Sequence, residues 1–413
     1  MQAPKSNPFS PPSASRSGSG TVASDYEVYG SSKYAKGNLR PVTLPPNMIG
    51  QRLACDLFTA HGVLLAKADS VVSSSLQNQL QQIPVFCPAD QAENISDFNP
   101  VSQLRRIAKT LSEIDERLVR NQHVSSGELN RLVRDLYDAW VSDADACLGY
   151  ARLSQSGRPS ISHVIHVALV AAELATANRL NRDQITDVIG GALTMNLARL
   201  RLHDEMHASD QRPDADREFE LHFHPTEGKR LLVQIGEFSK SWIDAVSHHH
   251  ENIDGSGYPW ALTGSGIALS ARIVRIADIF AARLTGRKTR PPLHWSIHQT
   301  RSTQLLARHI FGDDMKHLDS TLVTQLTQAL GCFPPGSLVR LNNNELAVVT
   351  RRVPGAVSAP PQVHSIRDYQ GQTLDTPRMR RIGHREYEIR NYSNEDCSQF
   401  SSYDWQKVWG YAA

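Results

Sequence analysis

Cysteine is scarce in this chain of 413 residues: Cys55, Cys87, Cys147, Cys332 and Cys397 are odd in number, scattered, and form no C-x-x-C pair. That excludes a disulfide frame or a zinc ribbon and suits a reducing compartment. No uninterrupted apolar run reaches the roughly 18 residues that would announce a membrane-crossing helix. The opening residues, MQAPKSNPFSPPSASRSGSG, hold a lysine but no apolar core segment, so no secretory signal is expected. Net charge is only +2, which provides no basic surplus for nucleic acid or an anionic membrane. What is there is ordinary for a globular protein of two or three domains: 40% hydrophobic and 21% charged residues.

Along the chain the composition changes several times. Residues 1–44 are rich in Ser, Pro and Gly and are expected to form a disordered arm. Residues 45–100 read as a small α+β module and loop. Two β-prone runs flank His61-Gly62, and SSSLQNQLQQI has the Ser start of a short helix. Residues 101–150 are expected to be connecting helices, with Leu104, Ile107, Leu111, Ile114 and Leu118, then Leu129, Leu132, Leu136 and Trp140, at helical spacing. Residues 151–332 continue as helices, SHVIHVALVAAELATANRL being the clearest. From 333 to 413 the pattern is a β-rich extension: FPPGSLVRLNNNELAVVTRR gives two strands around an Asn-rich turn, and EYEIRNY a further one.

Histidines and acids gather in the helical stretch. His163 opens one helix, His224-Pro225 sits in LHFHPTEG, and His248, His249 and His250 end another before ENIDGSGYP. Asp278 lies in ARIVRIADIF, where a lone carboxylate needs a partner. Each has a plain reading: a core histidine, a capping acid, a solvated helix end. Together, beside a Gly-rich turn, they point to a hydrolytic divalent ion such as Fe, Mn or Zn.

The ordered string HHENIDGSGYP, then LTGSGIALSARIVRIADIFAARLTGRKTR, resembles the HD-GYP family of phosphohydrolases, over about residues 160–341. The resemblance implies a mainly α, HD-GYP-type helical bundle with a small N-terminal α+β module and a C-terminal β-rich extension. It also implies a two- or three-metal centre, hydrolysis of cyclic di-GMP, and a soluble cytoplasmic signalling role. Carried over position by position, His163, His224, His249, His250 and Asp278 match metal ligands. Glu251, Asp254, Gly255, Gly257, Tyr258 and Pro259 match the GYP loop, which in the family also serves protein contacts. Arg287 and Arg290 stand where the family keeps basic residues near the ligand, with Thr289 in place of the usual tyrosine. A phosphate clamp and a solvated basic helix end both fit them.

The name-giving dyad is missing. Aligned without gaps, Met195, Asn196 and Arg199 occupy the family's His, Asp and Lys positions. His203-Asp204 falls where the family has a later P-D-E-I segment, so it reads as loop and not as the dyad. Bringing it into the site by helix slippage would need about two turns, roughly 12 Å. A thioether is a poor ligand for hard ions, and a carboxamide cannot bridge two cations with negative charge. The expectation is a half site: one ion on His224, His249 and His250, or none, with only His163 and Asp278 left for a second. Three functions are open at this stage. One is a degenerate protein binding cyclic di-GMP, or a partner protein, with little or no hydrolysis. Another is an active phosphodiesterase with one metal, and the last is a ligand-free helical scaffold.

Overall fold

The computed structural model describes residues 39–42, 52–59, 62–82, 85–88, 98–154, 157–209, 214–285, 303–353, 359–380, 383–393, 395, 397–400 and 402–411. The N-terminal part is a four-stranded sheet of β1 (Leu39–Val42), β2 (Leu57–Phe58), β3 (Leu64–Ala66) and β4 (Val85–Pro88), with α1 (Ser74–Gln82) between β3 and β4. The sheet order is β1-β4-β2-β3. The hairpin closes at Gly62, whose N–H donates to Thr59 O and whose φ of +80° is where glycine is at ease. One expectation is corrected here. Residues 39–42 fall within the arm assigned as disordered, yet they form β1, because Leu39 to Val42 find a full antiparallel partner in Pro88 to Val85. The rest of that arm lies outside the described residues.

Eleven further helices follow among the described residues: α2 (Pro100–Val119), α3 (Ser126–Ser142), α4 (Ala144–Leu153), α5 (Pro159–Ala177), α6 (Arg182–Thr194), α7 (Leu200–Ala208), α8 (Ala215–Ile235), α9 (Lys240–His248), α10 (Leu269–Thr285), α11 (Thr303–Phe311) and α12 (Ser320–Leu330). The apolar positions read from the periodicity of α2 and α3 are buried, from Leu104 to Ile114 and from Leu129 to Trp140. Ser125 and Glu128 form a reciprocal capping box that fixes where α3 starts. α5 is the centre of the bundle and packs on α6, α10, α4 and α12. At 19 residues and a mean hydropathy of 1.4 it is long and apolar enough to cross a membrane by length and composition, though interrupted by Ser, His and Glu, and 72% of that stretch is buried inside the fold. A helix apolar all round is what a bundle centre requires.

The C-terminal part is a five-stranded antiparallel sheet in the order β8-β7-β6-β5-β9, from β5 (Leu338–Leu341), β6 (Leu346–Arg351), β7 (Gln362–Arg367), β8 (Thr373–Arg380) and β9 (Ile389–Tyr392). The turn between β5 and β6 is the Asn-rich one, with Asn344 left-handed at φ 73°. Ion pairs dock this sheet on the helices. Arg351 Nη2 donates to Asp143 Oδ2 at 2.6 Å, and the Tyr411 hydroxyl donates to the same oxygen at 2.8 Å. Arg352 reaches Asp145 and Glu173, each at 2.7 Å. Fully buried Asp143 also caps α4 through Ala146 N, so its charge is satisfied on every side.

Candidate metal centre

Pro225 sits inside α8 and has no N–H, so the carbonyl four residues back, Leu221 O, loses its helical donor. The His224 Nδ1–H takes that place at 2.5 Å. His249 stands just past the last turn of α9, where carbonyls lack helical partners, and its Nδ1–H donates to Val246 O at 2.7 Å. A carbonyl can only accept, so both rings are fixed with the proton on Nδ1 and a lone pair on Nε2. Those two Nε2 atoms face each other at 3.0 Å. Two lone pairs so placed repel unless a cation lies between them. Two nitrogens each about 2.0–2.1 Å from one shared ion would be separated by such a distance. His250 completes the set: donor atoms of His224, His249 and His250 all lie within 4.8 Å of one another. The carbonyl-fixed imidazoles are the arrangement that metal-binding histidines adopt.

The electrostatics agree. Burial, with neighbouring histidines, pushes His224 and His250 well below the ordinary value. Burial pushes His249 down to about 4 and, with His163 and Arg152, His166 to about 3. These rings are neutral near pH 7, the form that ligates. His250 differs in its partner. Arg275 Nη1 donates to its Nδ1 at 3.2 Å while Nη2 donates to Asn252 Oδ1 at 3.2 Å. In the neutral ring this puts the proton on Nε2, so His250 ligates an ion only on giving up this contact or changing tautomer. A fixed guanidinium therefore stands beside the cluster.

On the other side, His163 Nε2 meets Asp278 Oδ1 at 2.8 Å. Burial alone would raise the Asp278 carboxyl, but its hydrogen bond from His163 and the nearby charges of His163 and Arg275 hold it below the usual range.

The GYP residues are mainly architecture. Glu251 is buried, and its oxygens accept from Trp260 N at 2.7 Å and Leu262 N at 3.0 Å, stapling the loop back on itself. Asp254 accepts from Ser256 N and its hydroxyl, at 3.1 and 2.7 Å, and from His317 Nδ1 at 2.7 Å. A side chain at Gly257 would put a Cβ 2.3 Å from Asn252 N, so the backbone closes only around glycine. Gly255 has φ +80°. Tyr258 is the loop's contact with the cluster, stacked between His250 at 4.7 Å and His222 at 4.1 Å, with Pro259 half-buried beside it.

α6 stops at Thr194, and the chain bends through Met195 and Asn196 (φ −108°, ψ 8°) before a short 3-10 turn and α7. Both residues are buried, and Asn196 Oδ1 has no hydrogen-bond partner among the described residues. Arg199 is engaged: its Nη2 donates to Glu227 at 2.8 Å. His203 and Asp204, taken together from sequence as loop, part company. Asp204 turns to the N-terminus of α5, accepting from Arg158 Nε at 2.8 Å and Ser160 N at 2.9 Å. His203 instead packs edge-on against His224, ring centres 5.5 Å apart. No helix slip is needed, because the bend at Asn196 restarts the chain in a new direction. Arg275, His222 and His203 are the site residues that sequence reading did not assign. An arginine three residues before Asp278 on the same helix was the available signal for Arg275. Arg287 and Arg290 lie outside the described residues.

A helical bundle presenting clustered histidines and an acid from several helices is the build of an HD domain, and the HD domain family model matches residues 137–300. A cyclic di-GMP phosphodiesterase of Pseudomonas aeruginosa is 24% identical over 70% of this chain and 63% of its own length. The cyclic di-GMP phosphodiesterase response regulator of Xanthomonas campestris is 30% identical over 31% of this chain and 33% of its own. A 3'3'-cGAMP-specific phosphodiesterase of Vibrio cholerae is 26% identical over 48% and 38%. The chain thus spans less than two thirds of the length of these relatives. Among solved structures, an HDG"Y"P protein of Bdellovibrio bacteriovorus aligns over 70% of this chain and 98% of its own, at 14% identity and TM-score 0.42. The GYP loop and histidine cluster, together with the HD domain match and these relatives, support the HD-GYP family for this chain.

Proposed function

We propose that this chain binds a cyclic dinucleotide, in the first instance cyclic di-GMP, at the histidine cluster and hydrolyses it little or not at all. The names of its relatives support the ligand class. One observation carries the low turnover: the carboxylate of this segment, Asp204, is committed to Arg158 and Ser160, while neutral Asn196 stands where the family has its bridging acid. A divalent ion on His224, His249 and His250 would supply Lewis acidity toward a phosphodiester oxygen. Arg275 adds a fixed cation for phosphate and keeps His250 in place. Arg199, in the family's lysine position, is held by Glu227 and is a poor proton donor. The GYP loop, with Trp260 53% exposed next to it, is a surface for a signalling partner in the cytoplasm.

Binding is tested by thermal unfolding of the metal-supplemented chain with and without cyclic di-GMP. A ligand at a hundredfold excess over its Kd should stabilise by about 2.7 kcal/mol and raise the midpoint. An unchanged midpoint would favour the ligand-free scaffold. The alternative of an active one-metal phosphodiesterase rests on the retained His163–Asp278 contact and calls for a rate that His249→Ala abolishes.

A further inference from the structure

Helix α8 buries one side and shows another. His224, Pro225, Gly228 and Leu232 are buried, whereas Phe219 and Phe223 are 63% and 43% exposed and Val233 is 63% exposed. At about 100° per residue, Phe219, Phe223, Thr226, Arg230 and Val233 all fall within about 40° of one line, a stripe roughly 21 Å long down the outer side of the helix. Phe219 and Phe223 are the only exposed phenylalanines among the described residues, and their ring centres lie 4.4 Å apart. Apolar residues scattered singly on a surface need no explanation, but an aromatic pair continued along one helix face marks a contact surface.

Charge along the same helix is ordered. Asp216, Glu218 and Glu220 occupy its first turns, and Lys229 and Arg230 stand further down; all five are exposed. Asp216, Glu218, Lys229 and Arg230 form no ion pair among the described residues. The helix dipole favours such an order by itself, but it does not call for the phenylalanines.

We infer that the outer face of α8 is a self-association surface, on which a second copy of this chain packs its own α8 antiparallel, about a two-fold axis near Thr226. In that arrangement Phe219 meets the partner's Val233, and Glu218 and Glu220 approach the partner's Lys229 and Arg230. A parallel pairing would set acid against acid. The stripe is therefore complementary to itself in apolar surface and in charge, as an isologous contact requires. The contact lies on the side of α8 opposite His224 and stands independently of nucleotide binding.

The test is sedimentation velocity of the full chain over a range of protein concentrations. The parent is expected to show a monomer–dimer equilibrium that weakens with salt. Phe219→Ser with Phe223→Ser should weaken association about tenfold or more, and both positions are exposed, so the fold is spared. Glu218→Arg with Glu220→Arg should also weaken it, and adding Lys229→Glu with Arg230→Glu to that same chain should restore the dimer, because the charges are then exchanged and not lost. A parent that stays monomeric at every concentration would leave the stripe to another occupant and overturn the inference. A dimer indifferent to the Phe219 and Phe223 substitutions, or one that the exchanged charges fail to restore, would overturn it as well.

Discussion

His224 and His249 each arrive with a backbone carbonyl of their own, whereas His163 and Asp278 hold each other. The first set is prepared locally: Pro225 within α8 frees Leu221 O, and a helix end frees Val246 O. The second is assembled from α5 and α10, which approach only in the folded chain. The lesson is that orientation of a ligand can be written into neighbouring residues, while the completeness of a ligand set is decided by tertiary structure. The two halves should therefore fail differently when disturbed.

The largest effect should come from restoring the acid that would bridge the two halves. Met195→His with Asn196→Asp should convert an undetectable or slow rate into measurable hydrolysis of cyclic di-GMP, followed by product separation. A change of that kind at a centre otherwise intact would be about 10²-fold or more, in the range of one general acid–base or electrostatic group. Pro225→Ala comes next. It returns a helical donor to Leu221 O, releases His224 Nδ1 and should weaken Mn(II) binding by about 10–100-fold in titration calorimetry. The same substitution should leave the His163–Asp278 contact unaffected, which sharpens the contrast.

Acidity should act on the imidazoles together. In the metal-free protein, burial holds His249 and, with His163, His203 at about 4, below the ordinary 6.5 of a free imidazole. The unfolded chain therefore takes up protons near pH 6.5 while the folded chain refuses them until about pH 4. Between those values the unfolded state binds more protons, so stability is full above pH 6.5 and falls on acidification. The slope is up to about 1.4 kcal/mol per pH unit for each such histidine, read from denaturation midpoints at stepped pH. A flat profile from pH 7 to 5 would contradict the burial of these rings. The smallest expected effect is that of Arg275→Met. Removal of a fixed positive charge beside His250 should tighten Mn(II) binding by roughly tenfold, about 1.4 kcal/mol.

Much of this was legible in the chain. Helical spacing marked α2 and α3, the Asn-rich turn marked the β5–β6 hairpin, and the order of motifs located His163, His224, His249, His250 and Asp278. Three things were not. β1 looked like part of a disordered arm because its strand character depends on β4, some 45 residues further on. Glu251 reads as a site acid beside paired histidines, yet its carboxylate folds back on two loop amides. His203 and Asp204 are adjacent in sequence but serve different neighbours, because consecutive helical residues point about 100° apart. A linear alignment gives them one label, and the helix α7 that carries both turns them to different neighbours.

The most direct measurement is incubation of the purified, Mn(II)-loaded chain with cyclic di-GMP, followed by chromatography for linear and mononucleotide products, with the Met195→His, Asn196→Asp protein alongside. The expected result is a parent that binds the nucleotide and leaves it intact, and a double variant that cleaves it. Robust turnover by the parent, lost in His249→Ala, would contradict the view that this centre has kept its ligands and given up its chemistry.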